Sequence, residues 1–144
     1  GSGSNAGSAD AVTAIDAVGI AVDHQAGDVV ELEADDHRDT PVWEVTVRTA
    51  DGSGVELYID RASGDVINET STRISDDQRE TPQLSITDAI EAVLQAEPGT
   101  LTHIELERDR GAAVWEAEVR TAAGAEAEIT LDATTGDVVK HEID

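Results

Sequence analysis

The sequence predicts an α+β fold made of two copies of one unit, each a helix laid across a four-stranded antiparallel meander. Three observations carry this. The string VWEVTVRTADG, beginning at Val42, returns as VWEAEVRTAAG beginning at Val114, an offset of 72 residues. At that offset residues 11–69 align with 83–141 without a gap, and about 18 of the 59 positions are identical, the self-similarity of an internal repeat. Within each copy the apolar residues first recur at helical spacing and then switch to strict alternation.

The helix of the second copy lies in LSITDAIEAVLQAEPG. Ser85 is its N-cap, Asp88 sits at the third helical position, and Pro98-Gly99 stops it. Ile86, Ala89, Ile90, Val93 and Leu94 share one face. In the first copy Thr13 and Asp16 repeat the cap, Val18 and Val22 keep the stripe and Gly27 ends it, although Gly19 weakens the middle.

Four strands follow. Val30, Leu32 and Ala34 point to one side, matched by Thr102, Ile104 and Leu106. Trp43, Val45 and Val47 face inward with Glu44, Thr46 and Arg48 outward, and Trp115, Ala117 and Val119 oppose Glu116, Glu118 and Arg120 in the same way. Turns at Asp51-Gly52 and Gly124 lead into Val55, Leu57, Ile59 and into Ala127, Ile129, Leu131. Ser63-Gly64-Asp65 and Thr135-Gly136-Asp137 then turn the chain into a short last strand, Val66-Ile67 or Val138-Val139.

The expected organisation is a flexible Gly/Ser-rich leader over 1–10, one unit over 11–69, a polar linker over 70–82 and a second unit over 83–144. The leader reads as a cloning tag or as the spacer after a removed export signal. A unit of about 60 residues buries only about 60% of its unfolded surface and is marginal alone, so the two are expected to pack together rather than swing freely, a shared continuous sheet being one way to do so.

Composition narrows the partners. The chain has 144 residues, no cysteine, no phenylalanine and no methionine, so the core is aliphatic with Trp43 and Trp115 as its large anchors. Absence of cysteine removes disulfides, thiol chemistry and thiolate metal sites. A formal net charge of -23 argues against nucleic acid and anionic membranes, which need a basic footprint. It fits a strongly solvated surface or attraction of a cationic partner. No apolar run approaches the roughly 18 residues of a membrane span.

The order of elements, with SITDAIEAVLQAEPG, VWEAEVRT and LDATTGDVV in the second unit and AIDAVGIAV, VWEVTVRTADG and YIDRASGDVI in the first, resembles the PepSY family. The first unit departs from the pattern at Gly19 and lacks the proline before Gly27. The resemblance implies a binding or regulatory module rather than an enzyme, secreted or held in the cell envelope, with a lipid anchor as one means of attachment. It also implies a protein partner, a secreted peptidase being the natural candidate, which the module restrains or escorts.

Residues alone point to no catalytic centre and no cofactor. The serines lie in the leader, turns, linker and a cap, and His24, His37, His103 and His141 are scattered without the company a nucleophile requires. No histidine pair has metal-ligand spacing. Asp35-Asp36, Asp76-Asp77 and the turns Asp60 to Asp65 and Asp132 to Asp137 offer oxygens for calcium, but lack the ligand order of an EF-hand, and turn conformation already accounts for aspartate there. Weak, diffuse Ca²⁺ association is expected.

The outward sheet face is the remaining candidate. Glu44, Arg48, Glu56 and Tyr58 share it in the first unit, and Glu116, Glu118, Arg120, Glu128 and Thr130 in the second. Two readings stay open: cross-strand Glu–Arg pairs on a solvated sheet, or a face that recognises a partner, which a lone exposed tyrosine would favour. An acidic module that binds or senses cations or cationic peptides is the alternative function.

Overall fold

The computed structural model describes residues 11–144; the expected leader over 1–10 lies outside the described residues. The chain runs as α1 (Ala14–His24), β1 (Asp28–His37), β2 (Thr40–Arg48), β3 (Gly54–Asp60), β4 (Val66–Thr72), a single 3₁₀ turn (Asp76–Gln78), α2 (Ile86–Ala96), β5 (Gly99–Asp109), β6 (Ala112–Thr121), β7 (Glu126–Asp132) and β8 (Val138–Ile143). Each unit is a helix on a four-stranded meander, and the two meanders join into one antiparallel eight-stranded sheet ordered β4-β3-β2-β1-β5-β6-β7-β8.

The join is made by β1 against β5, over Glu31 with Glu105, Leu32 with Ile104 and Glu33 with His103. Leu32 and Ile104 are themselves equivalent positions of the repeat. The units are therefore related by an approximate two-fold axis through that pair, normal to the sheet. Both helices lie on the same side and touch each other. Beneath them one apolar cluster runs from Val12 to Ala133 across both units.

The repeat is visible in its fastenings. Trp43 Nε1 donates to Val12 O at 2.9 Å and Trp115 Nε1 to Leu84 O at 3.0 Å, so each indole ties the chain just before its helix to the sheet. Thr13 and Asp16 form a complete capping box, and Ser85 Oγ accepts from Asp88 N. At each helix end a histidine–glutamate contact of 2.9 Å reaches the outer strand with its polarity exchanged: His24 to Glu69 of β4, and Glu97 to His141 of β8.

Three details depart from the sequence reading. A bulge at Val30 and another at Thr102 shift the alternation, so Leu101 rather than Thr102 is the buried partner of Val119. The last strands are longer than two residues, reaching Thr72 and Ile143. They lie at the sheet edges and most of their side chains are exposed, so backbone pairing with β3 and β7 holds them without any apolar period to announce it. Consequently the linker starts at Arg73 rather than residue 70. It is also packed: Ile74 is 3% exposed, lies against Gly54 and joins the core.

Gly27 and Gly99 occupy the same place after each helix, with φ of 150° and 157°. A Cβ there would stand 2.3 Å from Arg48 O or 2.2 Å from Arg120 O, backbone atoms of the neighbouring strand that cannot yield. Gly99→Ala is expected to cost at least about 3 kcal/mol, through strain and lost strand pairing. Gly19 is helical with open space around its Cα, so Gly19→Ala should stabilise by about 0.5–1 kcal/mol. Denaturant unfolding of the two variants checks both signs.

Candidate functional site

The helices cover one face of the sheet and leave the other open. Because Leu32, Trp43, Val45, Ile104, Trp115 and Ala117 point into the core, their strand neighbours stand on the open side. Register then decides which of these meet. Glu33 lies opposite Glu44, Glu44 opposite Tyr58, and Thr46 opposite Glu56. In the second unit Glu105 lies opposite Glu116 and Glu118 opposite Glu128. Carboxylates thus adjoin carboxylates, an arrangement that opposes folding where it occurs across strands.

Proton affinities record the crowding. Burial, reinforced by a proton shared with Asp35 and by the charges of Glu56 and Glu33, pushes the Glu44 carboxyl up to about 8, while the same shared proton holds Asp35 low. Glu105 is pushed up to about 7 by burial and by the neighbouring Glu31 and Glu107. Burial also raises Glu56 and Glu116. Lys140 is one of the few cations among them, 3.3 Å from Glu128 and 3.8 Å from Glu142. A concavity of about 580 Å³ opens here, lined by His103, Glu107, Asp109, Glu116, Glu118, Glu128 and Lys140.

At the two-fold axis the seam between units gathers residues far apart in sequence. His103 Nε2 lies 3.1 Å from Glu31 Oε2 and 3.7 Å from Glu105 Oε1, and its Nδ1 is 4.0 Å from Glu118 Oε2. The hydrogen bond to Glu31 is the main cause that raises the His103 pKa. Sequence reasoning left His103 among scattered histidines, because its partner Glu31 belongs to the other unit. The available signal was the alternating His103-x-Glu105 on a strand predicted to be half open.

The oxygens considered for calcium are not gathered. Asp60 Oδ1 accepts from Ala62 N and Ser63 N, and Asp132 Oδ1 from Thr134 N and Thr135 N, so both carboxylates close their own turns. Asp76 pairs with Arg79 at 2.8 Å. Among the described residues, Glu31, His103 and Glu105 are the group whose donor atoms converge, all within 4.8 Å of one another.

The chain matches the profile of PepSY, the peptidase propeptide and YPEB domain, twice, over residues 11–70 and 83–142. It belongs to the PepSY family. It is 30% identical over 137 residues to the uncharacterized protein YkoJ of Bacillus subtilis (strain 168), covering 94% of this chain and 76% of that protein. The crystal structure of "a putative lipoprotein (CD1622)" from Clostridium difficile 630 is similar in fold, with a TM-score of 0.52 and 19% identity over 92% of this chain and 93% of that one.

Within this PepSY tandem the nine residues expected on the outer face do not share one environment, and Thr130 among them is buried. Glu44, Glu56, Glu116, Glu118 and Glu128 stand on the acidic face. Tyr58 is half-buried, its ring edge-on to His37 at 4.7 Å between centroids. Arg120 lies 3.5 Å from Glu126 and its side chain is 62% exposed. Arg48 departs from expectation, at 7% exposure. The linker folds over it: Nη1 donates to Gln78 O at 2.7 Å, and Nη2 to Asp28 Oδ2 at 2.7 Å and to Thr81 Oγ1 at 2.5 Å. Position 28 is Asp in the first unit and its counterpart is Thr100 in the second, so only Arg48 has a carboxylate waiting on β1.

Two measurements follow from these environments. Arg48→Ala leaves a buried carbonyl and the linker unfastened and should cost about 2 kcal/mol, whereas Arg120→Ala should change stability by less than about 0.5 kcal/mol; parallel urea titrations compare them. Folding favours the protonated form of Glu44, since its folded value of about 8 lies above the ordinary glutamate value of 4.5. Its contribution is full below the lower value, declines as pH rises and is lost above the higher one. Glu44→Gln stays neutral throughout, so it should match the parent's Tm in mild acid and exceed it in mild alkali, as read by thermal unfolding across that window.

Proposed function

We propose that this PepSY tandem is a non-catalytic, exported module of the cell envelope that binds a protein partner through its acidic outer sheet face. The partner class is a secreted peptidase, which the module restrains or escorts. One observation carries the reading: an uncovered sheet face on which carboxylates are held against one another, with Glu44 and Glu105 pushed up to about 8 and about 7. Such a face is poorly satisfied alone, and cationic groups of a partner docked on it would relieve the repulsion and gain affinity. The family's description as a peptidase propeptide domain supports the choice of partner and the extracytoplasmic setting.

Three of the four histidines are engaged structurally, His24 and His141 at the helix ends and His37 against Tyr58. A second reading, an acidic module for cationic peptides, is favoured by the about 580 Å³ concavity and its five carboxylates.

The test is a titration of the protein against a thermolysin-class metallopeptidase at low and high salt, with peptide cleavage and complex formation by size-exclusion chromatography as readouts. Stoichiometric complex formation that weakens at high salt is expected. The variant Glu116→Gln/Glu118→Gln/Glu128→Gln should weaken the complex at least tenfold without lowering the Tm. No complex at either salt concentration overturns the peptidase assignment, and binding that ignores the triple variant moves the interface off this face.

A further inference from the structure

We propose that Glu31, His103 and Glu105 form a binding site for a first-row divalent cation, zinc being the best match, that staples the two PepSY units across their seam. The site goes beyond the partner-binding reading and does not depend on it. Its donors come from both units: Glu31 from β1, His103 and Glu105 from β5, at the one place where the units exchange strand hydrogen bonds.

Donor spacing is the first argument. In a tetrahedral zinc site with bonds of about 2.0–2.1 Å, neighbouring ligand atoms lie about 3.3 Å apart. Here His103 Nε2 is 3.1 Å from Glu31 Oε2 and 3.7 Å from Glu105 Oε1. All three donors fall within 4.8 Å, so a modest inward rotation of the glutamates completes a three-ligand set with one position open to solvent or to a partner's side chain. One imidazole with two carboxylates suits zinc and its first-row neighbours, whereas calcium prefers six or more oxygens, which this cluster does not provide.

The supporting shell is the second argument. Gln78 is only 5% exposed, held there by the linker, and its Nε2 donates to Glu105 Oε2 at 3.4 Å. The other ring nitrogen of His103 faces Glu118 Oε2 at 4.0 Å. Metal-bound histidines and carboxylates are oriented by outer partners of these kinds. Symmetry gives the third. The two-fold axis relates position 31 to 103 and 33 to 105 around the seam; three of the four are glutamate and position 103 is histidine. That histidine turns a knot of like charges into a mixed nitrogen–oxygen donor set.

The experiment uses the full chain in a buffer of high ionic strength, which screens diffuse attraction of cations to a surface of net charge -23. Zinc is titrated by calorimetry and the Tm followed, and Co²⁺ replaces it for visible absorption. Expected are one saturable site, a Tm that rises with zinc concentration as linkage requires, and a cobalt spectrum of low coordination number. His103→Gln and Glu105→Gln should each weaken zinc at least tenfold, while Glu128→Gln, on the same face but outside the set, leaves it unchanged. Non-saturating heats, several equivalent sites, or equal losses in all three variants would overturn the proposal. Because the readout needs no peptidase, its failure is distinguishable from failure of the partner assignment.

Discussion

The short pairing of β1 with β5 is the interaction on which the rest of the molecule depends. Each unit by itself has a helix, four strands and a core too small to be secure. Pairing Leu32 with Ile104 turns two exposed inner strands into the centre of an eight-stranded sheet and brings α1 and α2 side by side over one continuous apolar cluster. Edges remain only at β4 and β8, where Val139 and Ile143 are 57% and 58% exposed. The antiparallel sense of the seam also sets the symmetry, and symmetry sets which outward side chains meet.

The repeat supplies two equivalent arrangements, and the positions that differ give each its own use. Arg48 and Arg120 are the same residue in the same repeat position. One is locked under the linker with Asp28 and Thr81; the other lies in solvent beside Glu126. A histidine–glutamate contact ties each helix end to the equivalent outer-strand position, 69 or 141, but it starts from His24 in one unit and from Glu97, one position further on, in the other. A repeat therefore conveys geometry reliably and environment poorly.

The open face owes its character to the same pairing. Alternation puts glutamates outward on β1, β2, β3, β5, β6 and β7, and a sheet brings alternate residues of neighbouring strands to within reach of one another. The repulsion is tolerated because most of the groups are near water and because protons, His103 and Lys140 relieve part of it.

The sequence by itself determined the local structure and the unit. Capping residues, helical spacing, period-two alternation and glycine turns act over a few residues, so Thr13, Ser85, Trp43, Trp115, Gly27 and Gly99 all announced their roles. Five glutamates of the outer face were legible for the same reason, since facing is a local property of a strand. What the tertiary structure alone decided depends on contacts between distant segments. The linker's course buried Arg48 and placed Ile74 and Gln78, and none of those contacts leaves a period in the chain. The seam set Glu31 beside His103 and Glu105, 72 and 74 residues away, because register between two units is chosen by the whole apolar surface they bury together.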